Sequence, residues 1–162
     1  MSTTAEVTTE LYPETSVGVL TFSRGEHNFF DVALLESMAA AMERLAVDGC
    51  RAIVLRTGSK SFCAGMDVLD ASSGSGGRHI YDVVPRLFAV DVPVVASVRG
   101  AAIGGGLGLA MAADFRVAAP EARFAANFAR LGFSPGFALT ATLPAVIGPH
   151  RAAELLYTGR RF

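Results

Sequence analysis

The stretch "GAAIGGGLGLAMAADF", residues 100–115, decides how this chain is read. It puts four glycines in the five positions 104–108 (Gly104, Gly105, Gly106 and Gly108) and follows them with a small-residue apolar run. Upstream, "VPVVASV" at 92–98 has the continuous apolar character of a buried strand. Strand, glycine turn and helix in that order bring bare backbone N–H groups to a sheet edge, with the partial positive charge of a helix N-terminus behind them. A P-loop is excluded: Gly100 and Gly105 have its spacing, but Gly106 and Leu107 follow where Lys and Ser or Thr are required. The dinucleotide fingerprint fits at Gly104 and Gly106 and fails at Leu109. Close helix packing is the remaining bland reading of the glycines. The functional reading is a donor for a negatively charged oxygen, which needs a second donor from elsewhere. "FCAGMDV" at 62–68 is the candidate source.

Working outward, "SVGVLTF" (16–22) and "AIVLRT" (52–57) read as strands. Between them Asp31 caps a helix that places Val32, Leu35, Met38, Met42 and Leu45 on one face and stops at Gly49. "ASSGSGG" (71–77) is a flexible loop, and a short helix is expected from about His79 to Val90. Strands are expected at "FRVAA" and "RFAAN", and helices at "PGFALTATLPAVIG" and "PHRAAELLYTG". The polar residues 1–13 are expected to be a loose N-terminal segment. Strands alternating with helices give an α/β fold in a single domain, 1–162.

Composition narrows the function classes. Just over half of the 162 residues are hydrophobic (51%), 18% are charged, and the net charge is −1, so the chain is globular and has no footprint for nucleic acid or an anionic membrane. The N-terminus lacks the features of a signal peptide, and the longest apolar run is too short to span a bilayer. Two cysteines, Cys50 and Cys63, make neither a disulfide framework nor a zinc site and read as small apolar residues of a reducing compartment. A cytoplasmic protein is expected, and no membrane or nucleic-acid partner.

"FCAGMDV", "VRGAAIGGGLGLAMAADFRVA" (98–118) and "LGFSPG" (131–136) with "LPAVIG" (143–148), in this order and at this separation, closely resemble the crotonase superfamily, the enoyl-CoA hydratase/isomerase group. The resemblance runs from about residue 16 to the end. It implies a spiral of β-β-α units and an acyl-CoA thioester as ligand, with coenzyme A part of the substrate and no separate cofactor. The thioester carbonyl oxygen would sit between the N–H groups of Met66 and Gly105. Ala64 and the stretch Met66, Asp67, Val68 and Leu69 would line the path of the coenzyme A portion. Asp67 and Asp114 would be structural. Arg24 is a candidate for a coenzyme A phosphate, since a guanidinium suits phosphate oxygens.

The same resemblance marks two departures. Hydratases of this family use two glutamates, and the matching positions here are Gly108 and Phe128. Neither can move a proton, so the usual hydratase mechanism is not expected. His79 is a candidate acid/base group that borders the acyl pocket. Asn127 and Ser134 flank Phe128, while Glu26 and His27 lie nearer the coenzyme A end. Two functions stay open: an enzyme that stabilises a thioester enolate without those glutamates, for which decarboxylation is one reaction, and an inactive acyl-CoA-binding or scaffold homologue. Restoring Gly108→Glu with Phe128→Glu is expected to bring back weak hydration if the rest of the pocket is intact. The chain also stops at "LLYTGRRF", short of the C-terminal helical portion that in relatives joins subunits into trimers or hexamers; a homo-oligomer is expected.

Overall fold

The computed structural model describes residues 4–66 and 79–162. Among the described residues, seven strands and five α-helices follow one another: β1 (Glu6–Tyr12), β2 (Val17–Ser23), α1 (Val32–Val47), β3 (Ala52–Thr57), α2 (Val84–Phe88), β4 (Val94–Val98), β5 (Ala101–Ile103), α3 (Gly105–Ala112), β6 (Phe115–Ala118), β7 (Arg123–Ala125), α4 (Leu139–Ile147) and α5 (Pro149–Thr158). The main sheet has the order β1-β2-β3-β4-β6. Only β1 runs antiparallel to its neighbour; β2, β3, β4 and β6 are parallel, as crossover helices require.

A second, smaller layer lies beside it. Strands β5 and β7 pair in parallel, Cys63 bridges to Ala102, and Phe30 bridges to Met66. The chain therefore leaves β2, β3 and β4 in turn and adds a piece of backbone to this layer before each return. It is this layer that brings residues 63–66 beside the glycine turn.

Local chemistry fixes the elements. Asp31 caps α1, its Oδ1 accepting from Leu34 N–H at 2.7 Å, and Gly49 closes the helix at φ +89°. The inner face of α1 buries Leu34, Leu35, Met38, Ala39, Met42 and Leu45. They join Leu20, Phe22, Ile53, Leu55 and Phe62 in the main core, where each fully buried aliphatic side chain contributes about 1.5 to 3 kcal/mol. Helix α3 is apolar all round because it is buried on both sides. Leu109 and Ala110 face the main core, while Leu107 and Met111 pack on Leu139, Leu143, Leu155 and Leu156 of α4 and α5.

Two sequence expectations are corrected. The segment 1–13, expected to be loose, contains the edge strand β1, Glu6–Tyr12, which pairs with β2 over seven residues. Its side chains are almost all exposed, so it carries no apolar alternation to betray it, and its Glu6 and Glu10 are the charges expected on an open edge. The helix expected from His79 to Val90 is broken into a 3-10 turn at Ile80–Asp82 and the five-residue α2, which starts beside Pro85. The expected loop 71–77 lies outside the described residues.

Both cysteines are buried and unpaired. Burial pushes the Cys63 thiol up to about 12, with Gly65 and Phe30 backbone groups opposing weakly. A group raised in the folded state favours folding below its unfolded value of about 9 and loses that contribution as pH rises toward 12. Iodoacetamide at pH 8 is therefore expected to leave Cys63 unmodified in the native protein and to label it in denaturant, as read by intact mass. A second expectation concerns Gly106, where a Cβ would lie 2.0 Å from the Cys63 carbonyl oxygen. Gly106→Ala should lose about 2 kcal/mol or more in urea unfolding by overpacking. Gly58→Ala, whose Cβ meets nothing closer than 3.5 Å, is the control and should stay within about 0.5 kcal/mol.

Candidate active site

The glycine turn is built by its backbone. Gly104 sits at φ +56°, a left-handed conformation that side chains resist, and its N–H donates to Ala125 O at 2.8 Å. Helix α3 begins at the next residue, so the Gly105 N–H belongs to the first turn and has no helical acceptor. The second segment is held on both sides: Cys63 N–H donates to Ala101 O and Ile103 N–H to Cys63 O, each at 2.9 Å, while Ala64 N–H donates to His27 O and Phe30 N–H to Gly65 O. A Cβ on Gly65 would come within 3.4 Å of Gly105 N, so the two segments touch through backbone alone. Among the described residues, no acceptor meets the N–H of Met66 or of Gly105.

A cavity of about 410 Å³ opens at this contact. Ala64, Gly65 and Met66 form one wall, and Gly104 and Gly105 another. Phe30, Phe128, Leu131, Phe133 and Phe137 make most of the rest apolar, and His79, Tyr81, Asn127 and Ser134 supply its polar side chains. Among the described lining residues there is no carboxylate, lysine or arginine. The described residues also hold no cluster of side chains fit to bind a metal.

The residues singled out in sequence fall into three groups. Ala64, Met66, His79, Gly105 and Phe128 line the cavity together. Gly108 and Arg24 do not. Gly108 is buried one turn into α3, where a Cβ would stand 2.4 Å from the Cβ of Phe137. Arg24 pairs with Asp31 at 3.0 Å, at the start of α1. Asp67, Val68 and Leu69 lie outside the described residues. Asp114 is structural, its Oδ2 accepting from Val94 N–H at 2.8 Å. Glu26 is engaged by Lys60 at 2.9 Å, which holds its carboxyl below the usual range.

His79 has a defined local role. Its Nδ1 accepts from Tyr81 N–H at 3.3 Å and its own N–H donates to Asp82 Oδ2 at 2.9 Å, a reciprocal cap on the 3-10 turn. With Nδ1 accepting, the neutral ring carries its proton on Nε2 and is a donor there. Accepting a substrate proton at Nε2 would first require moving that proton and breaking the cap.

Phe137 and Tyr81 are among the lining residues that escaped the sequence reading. Phe137 is 1% exposed and packs its ring against Phe30 at 5.5 Å between centroids, over the glycine face of α3. It has φ +54°, and Ala138 after it has φ +57°. Tyr81 reaches in from the 3-10 turn, and its hydroxyl oxygen accepts from Phe137 N–H at 3.3 Å. A partner fifty-six residues away leaves no local signal in sequence.

Comparison with known proteins gives the family and the fold. A family model described as "Enoyl-CoA hydratase/isomerase" matches residues 13–162. A probable enoyl-CoA hydratase of Bacillus subtilis is 32% identical over 151 residues, covering 88% of this chain and 58% of the relative. A crotonyl-CoA hydratase of Syntrophomonas wolfei is 40% identical over 115 residues, covering 65% of this chain and 43% of the relative. A crystal structure of an enoyl-CoA hydratase subunit from Geobacillus kaustophilus superimposes with a TM-score of 0.86 at 31% identity, over 96% of this chain and 62% of that one. The chain thus spans roughly half of the length of these curated relatives, and its parallel sheet, small second layer and helices are the crotonase fold. A matched model over nearly the whole chain, a shared fold and two bare backbone segments meeting at one cavity lead to one statement: the chain belongs to the enoyl-CoA hydratase/isomerase family.

Proposed function

We propose that this protein binds an acyl-CoA thioester with its carbonyl oxygen between the N–H groups of Met66 and Gly105, and that any turnover proceeds by stabilising the thioester enolate there. One observation carries the reading: Met66 and Gly105, thirty-nine positions apart in sequence, line the same cavity, and their N–H groups have no acceptor among the described residues. Negative charge that develops on the oxygen is met by fixed donors and by the N-terminal end of α3. Each such donor is worth about 3 to 4 kcal/mol of barrier in acyl-transfer enzymes.

The apolar walls support a hydrocarbon or small acyl group and argue against the two-carboxylate hydration of ordinary hydratases. In their place the cavity offers His79 and Tyr81 as hydrogen-bond donors. Such a site favours steps that need an enolate stabilised more than a strong base, including loss of carbon dioxide from a malonyl-type thioester: the C–C bond breaks, its electron pair enters the enolate, and the α-carbon takes a proton from solvent or from a lining donor. Binding without turnover is the second reading, and the absence of a carboxylate among the described lining residues favours it. A homo-oligomer in the cytoplasm goes with either reading; Phe115 and Val117, exposed on the outer strand β6, support association. No helix among the described residues is long and apolar enough to cross a membrane.

Calorimetry with butyryl-CoA tests the binding. Saturable binding is expected, together with a fall in the infrared stretching frequency of a ¹³C-labelled thioester carbonyl as the donors polarise it. Binding with an unshifted carbonyl would contradict the placement of the oxygen.

The hydratase restoration needs a third change. Because a Cβ at 108 meets the Phe137 Cβ at 2.4 Å, Gly108→Glu with Phe128→Glu is expected to disrupt folding while Phe137 remains. Phe137→Gly removes that obstacle and suits the left-handed backbone at 137. The triple variant is expected to fold and to hydrate crotonyl-CoA weakly, measured by loss of the enoyl absorbance. A folded triple variant with no hydration would count against the alignment of these positions with the catalytic glutamates.

A further inference from the structure

Tyr81 stands apart among the residues around the cavity. It is half-exposed, at 49%, and belongs to a 3-10 turn outside the main sheet, yet its hydroxyl reaches across to the backbone of residue 137. The Phe137 N–H occupies one lone pair of the oxygen at 3.3 Å. No acceptor for the hydroxyl proton is present among the described residues. The oxygen is closely fitted: a Cβ on Gly136 would lie 2.7 Å from it and 3.5 Å from the ring of Phe128. The same Phe128 ring reaches within 3.8 Å of where a Gly104 Cβ would be, so one ring borders both the Gly136 backbone beside the hydroxyl and the glycine turn. His79 lies beside Tyr81, the two rings tilted by 33° with centroids 5.0 Å apart, and with its Nδ1 accepting it offers a second donor at Nε2.

We propose that Tyr81 determines specificity in the acyl end of this cavity: its O–H, oriented by Phe137 N–H and seconded by His79 Nε2–H, selects acyl chains that carry a neutral oxygen, a hydroxyl or keto group, over plain hydrocarbon chains. This rests on the thioester reading above. A donor in this mostly apolar cavity calls for an acceptor, because a donor shut away from water by an apolar ligand loses its hydrogen bond and weakens binding. A carboxylate is the poorer match, since no lysine or arginine is among the described lining residues to balance a desolvated charge.

The test compares butyryl-CoA with 3-hydroxybutyryl-CoA and 3-oxobutyryl-CoA by calorimetry on the wild type, on Tyr81→Phe and on Gly136→Ala. At least one oxygenated thioester is expected to bind the wild type about fivefold or more tighter than butyryl-CoA, the range of one well-placed hydrogen bond. Tyr81→Phe should remove most of that preference. Gly136→Ala should do the same with the phenol still present, by pushing the hydroxyl aside. The affinity for butyryl-CoA, which has no oxygen there to lose, reports whether each variant keeps an intact cavity. An absence of preference in the wild type, or a preference that survives Tyr81→Phe, would overturn the assignment and leave the thioester reading standing. Failure of all three thioesters to bind the wild type would overturn the thioester reading and this assignment together.

Discussion

The structure depends on a contact between two stretches of main chain. The Cys63 carbonyl is pressed so closely against Gly106 that a methyl group there would sit 2.0 Å from the oxygen. This contact docks the N-terminus of α3 on the second layer of backbone that leaves β3. It needs a glycine at 106, and it needs residues 63–66 to be held as a strand, which the hydrogen bonds to Ala101, Ile103, His27 and Phe30 provide. The pairing of Met66 and Gly105 in one cavity follows from it. A site made of backbone is hard to lose by point mutation of side chains.

The bare face of α3 serves a second purpose. Phe30 and Phe137 lie over Gly105 and Gly108, in space that side chains at those positions would otherwise fill. The glycines therefore make room for two aromatic rings as well as for the cavity, and the packing explanation of the cluster is part of the answer and not a rival to it. The cost falls on residues 137 and 138, which adopt left-handed backbone without being glycine. A gain elsewhere must offset that strain. The burial of the Phe137 ring and the hydrogen bond from its N–H to Tyr81 are the visible candidates.

Much of this was legible in sequence where the signal is local. Asp31 as a cap, the α1 stripe, and the apolar run of β3 are each written within a few residues, and β3 falls at 52–57 as read. The glycine cluster marked the turn and the helix start. What escaped was non-local or hidden by exposure. Strand β1 buries almost nothing and owes its place to ladder hydrogen bonds with β2. The role of Phe137 depends on Gly108, twenty-nine positions earlier. His79 was marked for its chemistry, and its Nδ1 turned out to be committed to a cap that only the folded turn reveals.

The central claim is that two main-chain amides hold one carbonyl oxygen. A crystal structure of the protein with butyryl-CoA tests it most directly. The thioester oxygen is predicted to lie about 2.7 to 3.2 Å from the nitrogens of both Met66 and Gly105. An oxygen bound elsewhere in the cavity, or touching only one of the two amides, would contradict it.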